Sequence, residues 1–305
     1  MPPNERARAC HEELFPGHVS TLAATDPELI EVFDNFAFDE VLRSTRLDTR
    51  TRLTVQLAAL IASQAQAEYR VMLNAALTVG VSPVEAKEIL YQAVPYVGMA
   101  KVFEFLHATN EVFAERGIEL PLPGQATTTS DTRADAGRAM QEQIVGRDVV
   151  EQMSVAAPAD EQHVQRLLSA NCFGDYLTRT GLDLATRELL TFSMLAALGG
   201  CEPQLRGHVS ANLRVGNDRA RLIDVLTQLL PFIGYPRTLN GLRVVDETTG
   251  GSWWNSARGS SPASAPASAA SWRSSSSHAA IASWARSAGM TRSRISSRRT
   301  RRHSA

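Results

Sequence analysis

The chain has 305 residues, room for two domains of ordinary size, and its 44% apolar and 21% charged residues match a globular protein with a sizeable core. The net charge of −1 hides a split: nine Arg and no Asp, Glu or Lys lie beyond Gly250, so the body sets the other 22 of 31 basic residues against all 32 acidic ones. An acidic body excludes nucleic acid as its main partner, since phosphate binding needs a positive surface, and no apolar run reaches the length of a membrane span.

Residues 1–46 read as an N-terminal helical extension with breaks at Pro16-Gly17 and Asp26-Pro27. Its opening segment, MPPNERARACHEEL, has no apolar stretch of the signal-peptide kind, which with three cysteines and no CxxC pair predicts a reducing, cytoplasmic setting. A first helical module spans 47–116, with helices over Leu47–Ser63, Glu68–Val79, Pro83–Val94 and about Ala100–Glu115. Gly80 is a helix stop, Ser82 a cap and Pro95 a second stop. Residues 117–165 form a linker, rich in Pro, Gly, Thr and Asp, and a helical connection from about Ala136.

A second module, 166–249, repeats the order. Asp183 caps a helix to about Leu198, Pro203 opens the next, Asn217-Asp218 caps a third that Pro231 stops, and Pro236 starts a fourth to about Glu247. The two modules overlay: Arg52 falls on Arg187 and Leu60 on Leu195, and, after a gap of one residue, Gly80 on Gly216, Gln92 on Gln228, Pro95 on Pro231 and Gly98 on Gly234. QAVPYVG and QLLPFIG are thus equivalent segments, and punctuation kept in register marks a tandem repeat. The predicted class is all-α, two tandem helical-bundle modules. Residues 250–305, with Ser and Arg abundant and few aliphatics, have too little apolar surface to offset ordering entropy and are expected to be a disordered tail.

Reactive side chains concentrate in residues 188–216. Cys201 stands at a helix start, where the dipole and free N–H groups favour a thiolate. His208, seven residues on, shares a helix face with Cys201, Gln204 and Asn212. His208 is suited to general acid–base work, and Glu188, on the preceding antiparallel helix, to orienting its imidazole. Arg206 and Arg214 are cations that could hold a substrate carboxylate. The plainer readings remain open: a lone cysteine as a small buried hydrophobe, a lone histidine as a structural residue, solvated arginines. The first module has Leu53 opposite Glu188, Ala65 opposite Cys201, Glu68 opposite Gln204 and Met72 opposite His208, the pattern of one working and one degenerate site. Nothing in the sequence forms a metal-ligand cluster.

The stretch RELLTFSMLAALGGCEPQLRGHV and the VGN…LIDVLTQLLPFIGYPRTLN pattern resemble the carboxymuconolactone decarboxylase family, which includes alkylhydroperoxidase D. The resemblance rests on Arg187-Glu188, His208, Gly216, Pro231, Gly234 and Asn240, strong over 187–247 and weaker over 47–115. It implies packed helical hairpins, no cofactor, a small-molecule substrate and a homo-oligomer such as a trimer of tandem chains. It also implies either of two activities: decarboxylation of 4-carboxymuconolactone to 3-oxoadipate enol-lactone in aromatic catabolism, or thiol-dependent reduction of hydroperoxides. For the first, His208 would donate the proton, Glu188 orient it, and Arg206 or Arg214 anchor the carboxylate. For the second, Cys201 and His208 fall on the first cysteine and the histidine of the peroxidase motif, but Gln204 replaces the second cysteine and Glu188 sits one residue further upstream than that motif requires. A non-catalytic oligomeric binding protein is the third expectation.

Overall fold

The computed structural model describes residues 4–250, and every regular element among them is helical, as the all-α reading predicts. Helix α1 (Glu5–Leu14) is capped by Asn4, whose side chain accepts from Ala7 N–H. Helix α2 (Pro27–Asn35) passes through a π-helical turn, Phe36–Glu40, into the short α3 (Val41–Arg43). The first module follows as α4 (Thr49–Ser63), α5 (Gln66–Thr78), α6 (Pro83–Val97) and α7 (Met99–Glu115). Ser82 and Glu85 close a reciprocal capping box on α6, the arrangement that satisfies two helix-start N–H groups at once. The connection carries α8 (Arg133–Val145), α9 (Arg147–Ala156), α10 (Gln162–Leu167) and a π-helical stretch, Leu168–Leu177. The second module is α11 (Leu184–Leu198), α12 (Glu202–Arg214) and α13 (Arg219–Thr249).

The prolines do not end their helices as their residue type predicts. Pro95 lies inside α6 and Pro231 inside α13, whereas Pro236 opens the helical segment that follows the break at Gly234, as expected of it. A proline removes one i→i−4 hydrogen bond, but it does not by itself reverse the chain. The reversal falls three residues later, on Gly98 (φ 87°) and on Gly234 (φ 77°), where only glycine adopts the backbone without strain. The third and fourth helices of the second module meet at Gly234, whose φ and ψ are not helical.

Helices α4 and α11 are buried on all sides, from Arg52 to Ala62 and from Arg187 to Ala197, which is why neither has an amphipathic pattern. They pack on each other; α6 of the first module also lies against α11, and α13 of the second against α4. The modules thus share one core, in which Leu53, Leu57, Ile61 and Met72 join Leu190, Phe192, Leu226 and Val244. A smaller cluster of Ile144, Cys172, Phe173, Leu177 and Ala211 fastens α8 and the π-helical stretch to α12.

At that seam two glycines permit close backbone approach. A Cβ on Gly137 would lie 2.0 Å from the Ser169 carbonyl oxygen, and one on Gly174 2.1 Å from that of Arg133. Backbone cannot yield as a side-chain tip does. Gly137→Ala is therefore expected to cost about 3 kcal/mol, the upper range of overpacking, read as a lowered urea midpoint at unchanged m-value. A loss under about 0.5 kcal/mol would mean that the two helices separate without penalty.

Among the described residues no helix is long and apolar enough to cross a membrane. The expectation of disorder for the Ser- and Arg-rich tail concerns residues outside those described.

Candidate active site

Asp183 caps α11 by accepting from Thr186 N–H, and this fixes where the helix begins. Glu188 follows in the second turn, on the face toward α12, and is fully buried. The sharp link between the helices needs positive φ at both Gly199 (66°) and Gly200 (72°). It returns the chain so that α12 runs back along α11, and His208 arrives opposite Glu188.

The contact is a hydrogen bond of 2.8 Å between His208 Nδ1 and Glu188 Oε2. The His208 side chain is 16% exposed and that of Glu188 0%. Among the described residues the imidazole is the side-chain hydrogen-bond partner of this deeply buried carboxylate. The second carboxylate oxygen, Oε1, is buried without a hydrogen-bond partner among the described residues. With Nδ1 committed to Glu188, Nε2 is the nitrogen left for chemistry.

The backbone around the pair is locked by amides. Asn212 Nδ2 donates to the carbonyl oxygens of Glu188 (3.0 Å) and His208 (2.7 Å), and Asn212 Oδ1 accepts from Asn217 Nδ2 (2.9 Å). Asn217 Nδ2 also donates to the Ala185 carbonyl, at 2.9 Å. Asn212, expected to meet substrate, is instead a fully buried clamp between α11 and α12. Asn217, expected to cap the next helix, belongs to the same clamp, and the capping is done by Asp218.

Tyr96, from α6 of the first module, stands edge-to-face on the His208 ring, with centroids 5.8 Å apart. Its buried hydroxyl lies near Thr191 and Cys172 without a partner at hydrogen-bonding geometry. Burial, reinforced by the nearby Glu188 carboxylate, pushes this phenol well above its ordinary pKa, so it stays neutral beside the imidazole. Burial likewise raises the Cys172 thiol to about 12, which makes it inert. The sequence held a signal for Tyr96, the aromatic shared by QAVPYVG and QLLPFIG, but nothing that pointed it at the other module.

Cys201 is not part of this group. It occupies the N-cap of α12, about 10 Å along the helix axis from His208 at 1.5 Å per residue. Its thiol donates to the Leu195 carbonyl at 3.3 Å and lines a cavity of about 10 Å³ with Leu205, Arg237 and Asn240, enough for one water at most. Burial first, and then the neighbouring Glu202 carboxylate, raises its pKa. The expectation of a dipole-stabilised thiolate is thereby corrected: desolvation and a like charge outweigh the helix terminus.

The expected substrate contacts also lie apart from the pair. Gln204 is exposed. Arg206 is bound to Glu247 at 2.7 Å, a carboxylate that Arg243 shares at 2.9 Å. Arg214 is exposed and packs against Gly146, where an added Cβ would meet its guanidinium at 2.8 Å. In the first module Leu53 and Met72 fill the equivalent positions as buried core.

One family model, described as the carboxymuconolactone decarboxylase family, matches the chain twice, over residues 27–111 and 162–247. The chain belongs to that family. The two matches cover more than half of it and fall one on each module, the second including Glu188, His208 and Asn212. No curated protein matches the chain.

Proposed function

We propose that this member of the carboxymuconolactone decarboxylase family is a cofactor-free lyase that removes CO₂ from a small carboxylated lactone, with His208 as its proton donor and Glu188 as the residue that positions it. The observation that carries this reading is the 2.8 Å contact between His208 Nδ1 and a Glu188 carboxylate buried completely in the core. A buried carboxylate beside Nδ1 holds the imidazole in one tautomer and stabilises the cation it becomes between turnovers.

The chemistry needs little more. As the bond from the lactone ring to the carboxylate breaks, its electron pair passes into the neighbouring unsaturated lactone and CO₂ leaves. A donor held at that developing charge lowers the barrier, and His208 Nε2–H then delivers the proton to carbon. Solvent reprotonates the imidazole. Neutral Tyr96 keeps one side of the ring apolar and confines it to the orientation Glu188 sets. A small-molecule substrate and a homo-oligomeric assembly belong to the same reading.

A thiol peroxidase would instead need Cys201 as an attacking thiolate. Its raised pKa and its separation from His208 both weigh against that. The discriminating experiment compares wild type with Cys201→Ser on 4-carboxymuconolactone and on an organic hydroperoxide. Lactone turnover is expected in both proteins at rates within twofold, with no hydroperoxide consumed by either. Hydroperoxide reduction that disappears in Cys201→Ser would overturn the lyase reading. A stable assembly turning over neither substrate would indicate a binding protein.

A further inference from the structure

A second cavity, of about 510 Å³, lies away from the acid–base pair, between α6, Asn110 of α7 and the Leu120–Gln125 segment of the linker. That volume is within the range of small-molecule sites. Its wall sets apolar side chains, Val84, Leu120, Pro121 and Leu122, beside two cations, Lys87 and Arg179.

Lys87 is the unusual member. It is only 8% exposed, yet its ammonium meets one neutral acceptor, Asn110 Oδ1, at 2.5 Å and the face of Phe113 at 5.6 Å. Among the described residues it forms no ion pair. The one carboxylate at this cavity, Glu88, is already taken by two guanidiniums: Arg179 binds it through Nε and Nη2 (2.8 Å at the closest), and Arg187 through Nη2 at 2.9 Å. Arg179 in turn lies over the Tyr91 ring, 5.1 Å from its centre. One carboxylate therefore serves two guanidiniums, and the Lys87 ammonium, on the wall of a cavity large enough for a ligand, has none. A protein interior does not keep a spare ammonium without cost, and burial already lowers the Lys87 pKa.

We infer that this cavity binds a small organic carboxylate with an apolar body, its carboxylate paired with the Lys87 ammonium beside Arg179 and its body lying on Leu120, Pro121 and Leu122. Nothing in the residue pattern sets Lys87 apart from other lysines on a helix. The inference does not depend on the lyase reading, since neither Glu188 nor His208 lines this cavity.

The test is calorimetric titration of the full chain with benzoate and with hexanoate, using benzamide and inorganic phosphate as controls. At least one of the two carboxylates should bind saturably, and benzamide should not. Lys87→Met should weaken that binding at least tenfold while leaving Tm unchanged or raised, because it removes an unpaired buried charge and keeps the volume. Asn110→Asp supplies the missing carboxylate from within the chain, so it too should abolish binding, again without loss of Tm. His208→Gln should bind as wild type does. The inference is overturned if neither carboxylate binds, if benzamide or phosphate binds as well as the carboxylates do, or if either Lys87→Met or Asn110→Asp keeps wild-type affinity. It is equally overturned if those variants lose binding only together with a lowered Tm, or if His208→Gln abolishes binding, which would put the ligand at the acid–base pair.

Discussion

His208→Gln is expected to lower kcat/KM for decarboxylation of a carboxylated lactone at least a hundredfold while leaving the fold intact. Gln is close to His in size and can still meet Glu188 through its amide, so the partly exposed site loses its titrating group and little else. Positioned general acids contribute roughly 10²–10⁴ in rate, and that sets the floor of the expected loss. Glu188→Gln should fall in the same direction, because an amide neither fixes the tautomer as firmly nor stabilises the imidazolium. Since the two side chains act as one unit, the double variant should be no slower than His208→Gln alone. Steady-state rates of the four proteins, with circular dichroism as the control for folding, check this. A His208→Gln enzyme within threefold of wild type would remove the imidazole from the mechanism. Losses that multiply in the double variant would mean that the two residues contribute separately.

Glu188 and His208 were legible in the sequence because two regularities constrain them. The repeat supplies Leu53 and Met72 as their apolar counterparts, and a tight Gly199-Gly200 link returns one helix along the other. Cys201 shows where such reading stops. Sharing a helix face with His208 says nothing of the distance along the axis, and a helix N-terminus says nothing of what covers the sulfur. The Leu195 carbonyl and the Glu202 carboxylate decide both its placement and its pKa. Tyr96 escaped notice for the opposite reason. It lies in the first module, and only the packing of α6 against α11 brings it to His208. The two repeats follow one another along the chain, and their central helices meet in one core, which the order of elements alone does not show. Helix ends were off by three residues at Pro95 and Pro231, where the residue that forbids a hydrogen bond was easier to see than the glycine that permits the turn.

The ion network that joins the two modules should carry the largest single effect on stability. Glu88, on α6, is 1% exposed and accepts from Arg179, which leads into α11, and from Arg187 on α11 itself, also 1% exposed. Arg187 is held further by Gln92 Oε1 (3.1 Å) and by the carbonyls of Arg179 and Thr180 (2.9 Å each), while Gln92 returns a 2.6 Å bond to the Arg187 carbonyl. Glu88→Gln keeps the shape but leaves two guanidiniums sharing no anion, one of them without access to water. Removing one partner of a buried pair costs about 3–5 kcal/mol, a large part of the stability of an ordinary domain. Arg179→Met should cost much less, because Glu88 keeps Arg187 and Arg179 is the better hydrated of the two cations. Denaturant unfolding of both variants checks the order, and a Glu88→Gln protein within about 1 kcal/mol of wild type would mean that water or relaxation neutralises the buried guanidinium. The effect should reach the chemistry as well. Arg187 is bonded to Glu188 through the backbone, so any shift of the guanidinium to find solvent turns the start of α11 and moves the carboxylate that holds His208. Glu88→Gln should therefore slow turnover even at temperatures where it remains folded, although Glu88 touches neither member of the pair.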